Sequence, residues 1–553
     1  MPQAEEGHNS TGSAKWYWVA LLLVIIGSAA IRGRLVSMPL ERDEGEYAYI
    51  AQEMLKGVSP YVSAYSMKLP GIYAVYAVII AVFGQTQTGI HTGLIVFNAA
   101  TILAIFLLAK RMFGGLAGVA AGCAYAILST VKPSLGLTAN AEHFVLLPAL
   151  VGILILTWPA GRRRLLVDIA AGLFFGLAFV TKQHGILFAV FGALYLLCRD
   201  LRRPVKWKGL IAAQIFFGVG VLLPFAAVCF LYWRAGLFDE FWFWTFTYAR
   251  DYATTVPLEA GWYLFRTTLG PIVTGSFLIW LFALAGVLTC FIRKSERKYL
   301  PFMAGFLIFS FLAVCPGLYF RGHYFILFFP AAAVAAGAGF NAFCKFLMFL
   351  SCFISDRLSR LIVIIAGLII ASLTVVGVSL YQQRLYLFEL TPMEVCRYFY
   401  DGNPFPESLE IAEYLKANSR PDDKVAILGS EPQIYFYANR RAATGFIYVY
   451  PLMETHPYAQ KMQGQMIKEI EAAGPRWLVF VKIQSSWIER PESVKDIFIW
   501  FDAYVNSYYD LAGVAEMSPE GQTIYRWKTR VADYNPASEH GILVFKRKAS
   551  AAN

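Results

Sequence analysis

Charge is scarce in this chain: Asp, Glu, Lys and Arg make up 15% of 553 residues, against 58% hydrophobic ones. A soluble domain is typically about a quarter charged and about half apolar. That shortfall, with a mean hydropathy of +0.52, excludes a water-soluble globule for most of the length. Acids are scarcer than bases, leaving a net charge of +11, yet the excess does not point to nucleic acid. The bases cluster between apolar runs, at Lys110-Arg111, Arg162-Arg163-Arg164, Arg199 to Lys208, Arg293 to Lys298 and Lys345 to Arg360. Such clusters mark cytoplasmic loops. Paired cysteine spacing is missing too, so the eight cysteines imply neither a disulfide frame nor a metal site. No Gly-rich loop followed by Lys-Ser/Thr marks a nucleotide site. No small-residue cleavage site follows Trp16 to Ile31, which reads as a retained first helix rather than a signal peptide.

What the chain has is apolar runs. A spanning helix needs roughly 20 residues. Spans are expected near 16–37, 88–109, 113–130, 142–158, 166–182, 185–199, 210–234, 271–292, 300–316, 323–344 and 361–383, eleven crossings in all. Residues 70–84 are too short for one more and read as a re-entrant or juxtamembrane helix. The expected fold class is an all-α polytopic membrane bundle of about 11 transmembrane helices with a small C-terminal α/β soluble domain. The divisions are a cytoplasmic tail at 1–15, the bundle at 16–387 with a first outer loop at 38–69, and the soluble domain at 388–553. With every basic cluster inside, the first loop and the soluble domain lie outside. The expected location is the inner (plasma) membrane, with any chemistry on its extracytoplasmic face.

In the soluble domain, helices at 408–418 and 457–473 alternate with strands at 423–428, 476–482, 525–528 and 542–545, predicting a small layered sheet. Gly429-Ser430-Glu431-Pro432 follows the first strand, where open sheets bind ligands. The aromatic run at 241–248 reads as an interfacial belt.

The first outer loop opens Glu41-Arg42-Asp43-Glu44-Gly45-Glu46-Tyr47, and Tyr47, Ile50, Ala51, Met54 and Leu55 form a helical stripe. Asp43 as N-cap with Glu46 three residues on is the expected capping box. A cap needs one acid, however, and Asp43-Glu44 is dense charge directly after a membrane helix.

Asp43-Glu44-x-x-Tyr47-Ala48-x-Ile50-Ala51-x-x-Met54-Leu55, then Lys68-x-Pro70 and a short helix ending Phe83-Gly84, resembles the protein O-mannosyltransferase and lipid A aminoarabinose transferase superfamily. Those are integral-membrane glycosyltransferases of the C-type (GT-C) fold. Asn140-Ala141-Glu142, Thr181-Lys182 and His323-Tyr324 with Pro330 extend the likeness over roughly residues 16–345. The resemblance implies Asp43 as general base with Glu44 beside it, and Lys68 as the cation on the lipid phosphate. It implies cavity positions for Tyr47, Glu142 and Lys182. Arg321, His323 and Tyr324 join them as candidate substrate-binding residues.

There are departures. The aminoarabinose branch has a glutamate that helps hold a metal where this chain has Met67, which cannot replace a hard oxygen ligand, and that argues against a divalent metal. An arginine of that branch is Glu46 here. No cofactor is otherwise expected.

The residue types fit transfer of a sugar. An acceptor hydroxyl needs a carboxylate to take its proton. A polyprenyl phosphate leaves as a stable anion and needs only cations. The expected partners are a polyprenyl-phosphate-linked sugar donor, a glycan, lipid or protein acceptor, and the bilayer, with no nucleic acid. A transporter is the main rival, and no internal half-repeat with matching broken helices supports it. A lipid-binding assembly protein does not require Asp43 and Lys68 together, whereas a glycan–lipid ligase shares this chemistry.

Overall fold

The computed structural model describes residues 10–158, 164–201, 207–518, 522–528, 538 and 540–549. Of the basic clusters, Arg162, Arg163 and residues 202–206 lie outside the described residues.

Up to residue 390 the chain is helical. The helices are α1 (Ser10–Gly33), α2 (Arg42–Leu55), α3 (Gly71–Phe83), α4 (Gln87–Phe113), α5 (Gly115–Leu128), α6 (Ala141–Leu156), α7 (Arg164–Thr181), α8 (Ile186–Leu201) and α9 (Trp207–Arg234). They continue with α10 (Phe238–Trp242), α11 (Ala249–Ala253), α12 (Leu258–Thr274), α13 (Phe277–Ile292), α14 (Leu300–Leu312), α15 (Phe329–Ser351) and α16 (Arg357–Gln382). Ten of the eleven expected spans fall on single helices, and the one at 271–292 runs across the break between α12 and α13. Seven are long and apolar enough to cross a membrane, and α12 with α13 makes an eighth, bent by 97°. The remaining three, α5, α6 and α14, have 14, 16 and 13 residues. The start of the expected span at 323 is corrected to Phe329, because Gly322–Leu327 forms a 3₁₀ turn.

The chain packs as two compact units, one of residues 1–35, 91–235 and 252–390, the other of residues 36–90, 236–251 and 391–553. Small residues set the packing of the first. Along α15, Ala331 to Gly339 is buried throughout. A Cβ on Gly339 would stand 1.9 Å from the Phe282 carbonyl oxygen of α13. Only glycine admits so close a backbone approach, the usual device where lipid leaves no hydrophobic force between helices.

In the second unit the tail adds α17 (Pro392–Tyr400), α18 (Phe405–Asn418), β1 (Lys424–Leu428), α19 (Pro432–Ala438), β2 (Arg441–Ala442), α20 (Tyr450–Met453), α21 (Ala459–Ala473) and β3 (Trp477–Lys482). After them come α22 (Gln484–Trp487), α23 (Asp496–Tyr508), β4 (Tyr509–Met517), β5 (Thr523–Trp527) and β6 (Gly541–Arg547). The sheet order is β2-β1-β3-β6-β4-β5. β1 runs parallel to β2 and β3, and the remaining pairs are antiparallel. Val425 to Leu428 are all buried, the near-continuous apolar run expected of a parallel strand covered on both faces. The expected helices and strands of the tail are present, and α17, α19, α20, α22, α23, β2 and β4 are additions.

Candidate functional site

In the second unit the candidate residues gather at the start of α2. The cap differs from the expected one by two residues. Glu41 is the N-cap: its carboxylate accepts from the Glu44 amide (3.1 Å), and Glu44 Oε2 accepts from the Glu41 amide (3.0 Å). Glutamate is an unusual cap, and the box closes because Glu44 stands at the third helical position, where a reciprocal bond reaches. Asp43 is thereby released from capping and Glu44 committed to it.

Asp43 and Glu46, three residues apart on one face of α2, both meet Lys68. Its ammonium donates to Asp43 Oδ1 at 2.9 Å and also to Glu46. Tyr47 and Tyr448 present their rings 4.9 and 5.3 Å from the same nitrogen. Burial disfavours the ammonium, but Asp43 and then Glu46 outweigh it and hold Lys68 well above the usual lysine value. Burial also raises the Glu46 carboxyl, with Lys68 opposing. The Asp43 side chain keeps 18% of its surface exposed, whereas Glu44 and Glu46 are buried. Asp43 is the most exposed acid of the three. Glu46, expected as part of the cap, pairs with Lys68 instead; its i,i+3 spacing to Asp43 fits a capping box and a shared helix face alike. Tyr448 arrives from the distant tail, and nothing in the sequence joins it to Lys68.

The tail grips the neighbouring residue, Arg42, through Glu431 (2.6 Å), Tyr450 Oη (2.9 Å), Asn403 Oδ1 (3.2 Å) and the Ser430 carbonyl (2.5 Å). The expected ligand position after β1 thus holds the chain's own guanidinium. Of the tyrosines at 435–450, Tyr437 accepts from the Leu40 amide (2.8 Å) and Tyr435 from the Ile427 amide (2.8 Å).

The first unit holds a separate cluster. Glu142, fully buried at the start of α6, pairs with Lys182, which follows α7, and its other oxygen accepts no hydrogen bond from the described residues. His323 Nε2 lies 4.0 Å from Glu142. The Tyr324 ring faces the Lys182 ammonium at 4.5 Å and also meets the His323 and His184 rings. His184, which was not singled out from the sequence, bonds the Ala313 carbonyl at 2.7 Å. Arg321 donates to the Tyr252 hydroxyl at 3.4 Å and lies over the Tyr319 ring.

A metal does not fit the residues of α2. A divalent ion needs several converging oxygen, nitrogen or sulfur ligands, and among the described residues no three His, Cys, Asp or Glu side chains converge. The gap between Asp43 and Glu46 is bridged by an ammonium.

Residues 68–233 match the family model of dolichyl-phosphate-mannose-protein mannosyltransferases. The whole structure is similar to that of ArnT from Cupriavidus metallidurans bound to undecaprenyl phosphate, with a TM-score of 0.59 at 16% identity, covering 98% of this chain and 99% of that one. Against the apo state of ArnT the TM-score is 0.56 at 14% identity, with coverage of 98% and 99%. The likeness in the first-loop motif therefore extends to a shared fold. No curated protein sequence matches.

Proposed function

We propose that this chain is an integral-membrane glycosyltransferase that moves a sugar from a polyprenyl-phosphate donor to an acceptor hydroxyl on the extracytoplasmic face of the inner membrane. The observation that carries the reading is the part-exposed Asp43 carboxylate beside the Lys68 ammonium, a base for an acceptor hydroxyl next to a cation for a phosphate. Asp43 takes the proton of the acceptor hydroxyl, whose oxygen bonds the anomeric carbon. The bond from that carbon to the phosphate oxygen breaks, and polyprenyl phosphate leaves with the electron pair. Lys68 balances the charge that develops on the phosphate. As the phosphate draws Lys68 away, Asp43 loses its partner and gains basicity, which couples donor arrival to base activation. Glu142, Lys182, His323 and Tyr324 are assigned to substrate binding, with Arg321. The fold shared with ArnT, whose structure holds undecaprenyl phosphate, supports this donor class, as does the family match over residues 68–233.

The test is binding of undecaprenyl phosphate to the purified protein. The wild type binds it and does not bind free sugar. Lys68→Ala weakens binding by about tenfold to a hundredfold, the range for a hydrogen bond to a charged group. Binding of free sugar with none of the lipid phosphate would favour a carrier and overturn the proposal.

A further inference from the structure

Arg42 directly precedes Asp43, and the tail of the second unit encloses it. Its guanidinium spends donors on Ser430, Tyr450, Asn403 and Glu431, while the rings of Phe405 and Tyr450 lie 5.2 and 5.5 Å from its carbon. Glu431 is fully buried and also accepts from Gln433 Nε2 at 2.6 Å. A buried ion pair is weak evidence for stability, because the desolvation of both ions offsets their attraction. What a planar, many-donor side chain supplies is direction. Here it holds the first turn of α2, which carries Asp43 and leads into Glu46, the two acids that reach Lys68. A second part of the tail, Tyr448, covers that ammonium independently.

We propose that the C-terminal α/β segment is a working part of the transfer site: Glu431 is a positioning residue that acts through Arg42 on Asp43, and Tyr448 walls Lys68. The inference rests on the reading of Asp43 and Lys68 given above. Releasing Arg42 loosens the first turn, and Asp43 then parts from Lys68.

The test compares full-length wild type in detergent with the double variant Arg42→Met/Glu431→Leu, which strands no buried charge. The readout is the rate of Lys68 acetylation by an N-hydroxysuccinimide ester, followed by mass spectrometry. An ammonium held between two carboxylates is seldom in the reactive neutral form. The expected rise is about tenfold, which one unit of amine pKa produces, with an unchanged melting temperature and an unchanged resistance of the tail to protease. A pair that merely anchors the tail leaves the rate where it was, and that result in a folded double variant overturns the proposal. If the double variant does not fold, Tyr448→Leu carries the test, since it removes a half-buried ring and strands no charge. Its labelling should rise about threefold, the weight of an exposed cation–π contact, and no rise overturns the proposal. An active Asp43→Asn protein would remove the base assignment alone, because Lys68 labelling in the tail variants reports on the Asp43–Lys68 contact whether or not Asp43 is the base.

Discussion

At the scale of single residues, the Glu41–Glu44 box separates two roles that the acidic run had blurred. If Asp43 were the cap, Asn would replace it well and any loss of activity would reflect the base alone. Because Glu41 is the cap, Asp43→Asn touches no capping bond at all. The expected outcome is a folded protein with a melting temperature lowered by the weakened Lys68 ion pair and transfer slowed by about 10²–10⁴-fold, the usual cost of a lost base. Near-normal transfer would leave Asp43 as a counter-ion only. Glu46 makes a second forecast, through pH. Its carboxyl is raised by burial, so the folded state holds its proton more tightly than the unfolded chain does. Ionising it therefore costs stability, progressively, as pH climbs from the unfolded value near 4.3 through the raised folded one. Glu46→Gln removes that cost. Thermal melts should show the variant gaining on wild type at pH 7 and losing the gain at pH 4, and a pH-independent difference would refute the assignment.

At the scale of elements, the long apolar runs were legible because length and composition suffice to mark them. All but the one at 271–292 fell on single helices, and the strands at 424–428 and 477–482 were visible as short apolar runs between helices. β4 was not. Its sequence, Tyr-Asp-Leu-Ala-Gly-Val-Ala-Glu-Met, lacks the β-branched content of a free-standing strand and carries a register shift between Leu511 and Gly513. It is a strand because β5 and β6 flank it. The break between α12 and α13 falls at Gly275-Ser276, just after Pro271, residues at which helices commonly kink; the expected span at 271–292 ran across that signal. For the candidate site, the sequence marked Asp43 and Lys68 but could not show what the tail adds, since Tyr448 and Glu431 reach α2 only through the fold. Packing of the glycine seams can be checked directly. A Cβ on Gly286 of α13 would lie 1.9 Å from the Ala335 carbonyl oxygen, whereas Gly27 of α1 has nothing within 4 Å. Gly286→Ala should destabilise by about 1–3 kcal/mol, the cost of overpacking. Gly27→Ala should be neutral or slightly stabilising on helix propensity. Equal melting temperatures for the two variants would mean that the seam between α13 and α15 yields more easily than its geometry suggests.

At the scale of the whole molecule, the side of the membrane on which the tail lies follows from parity. The short helices do not change it. By its rise of 1.5 Å per residue, α5 is about 21 Å long, short of a hydrocarbon core about 30 Å thick. Yet Lys110-Arg111 ends α4 and Arg164 opens α7, and the positive-inside rule puts both on the cytoplasmic side. So α5 and α6 either both cross or both do not. The same holds for α14 and α15, which lie between the bases at 293–298 and 345–360. Since α15 is long enough to cross by itself, α14 is expected to cross with it on that rule. Helices α7 and α8 form another such pair, as do α9 and the bent α12–α13. What is left unpaired is α1 outward, α4 inward and α16 outward, an odd number. The tail is therefore expected outside whether or not α5 and α6 span. A periplasm-active reporter fused after Tyr400 should be active, and one placed at Lys294 silent. A third at Leu135, between α5 and α6, reads whether that short pair crosses. Activity of a cytoplasm-only reporter after Tyr400 would break the parity argument. It would move Asp43 and Lys68 to the wrong face for a donor presented outside, and the proposed transfer would fall with it.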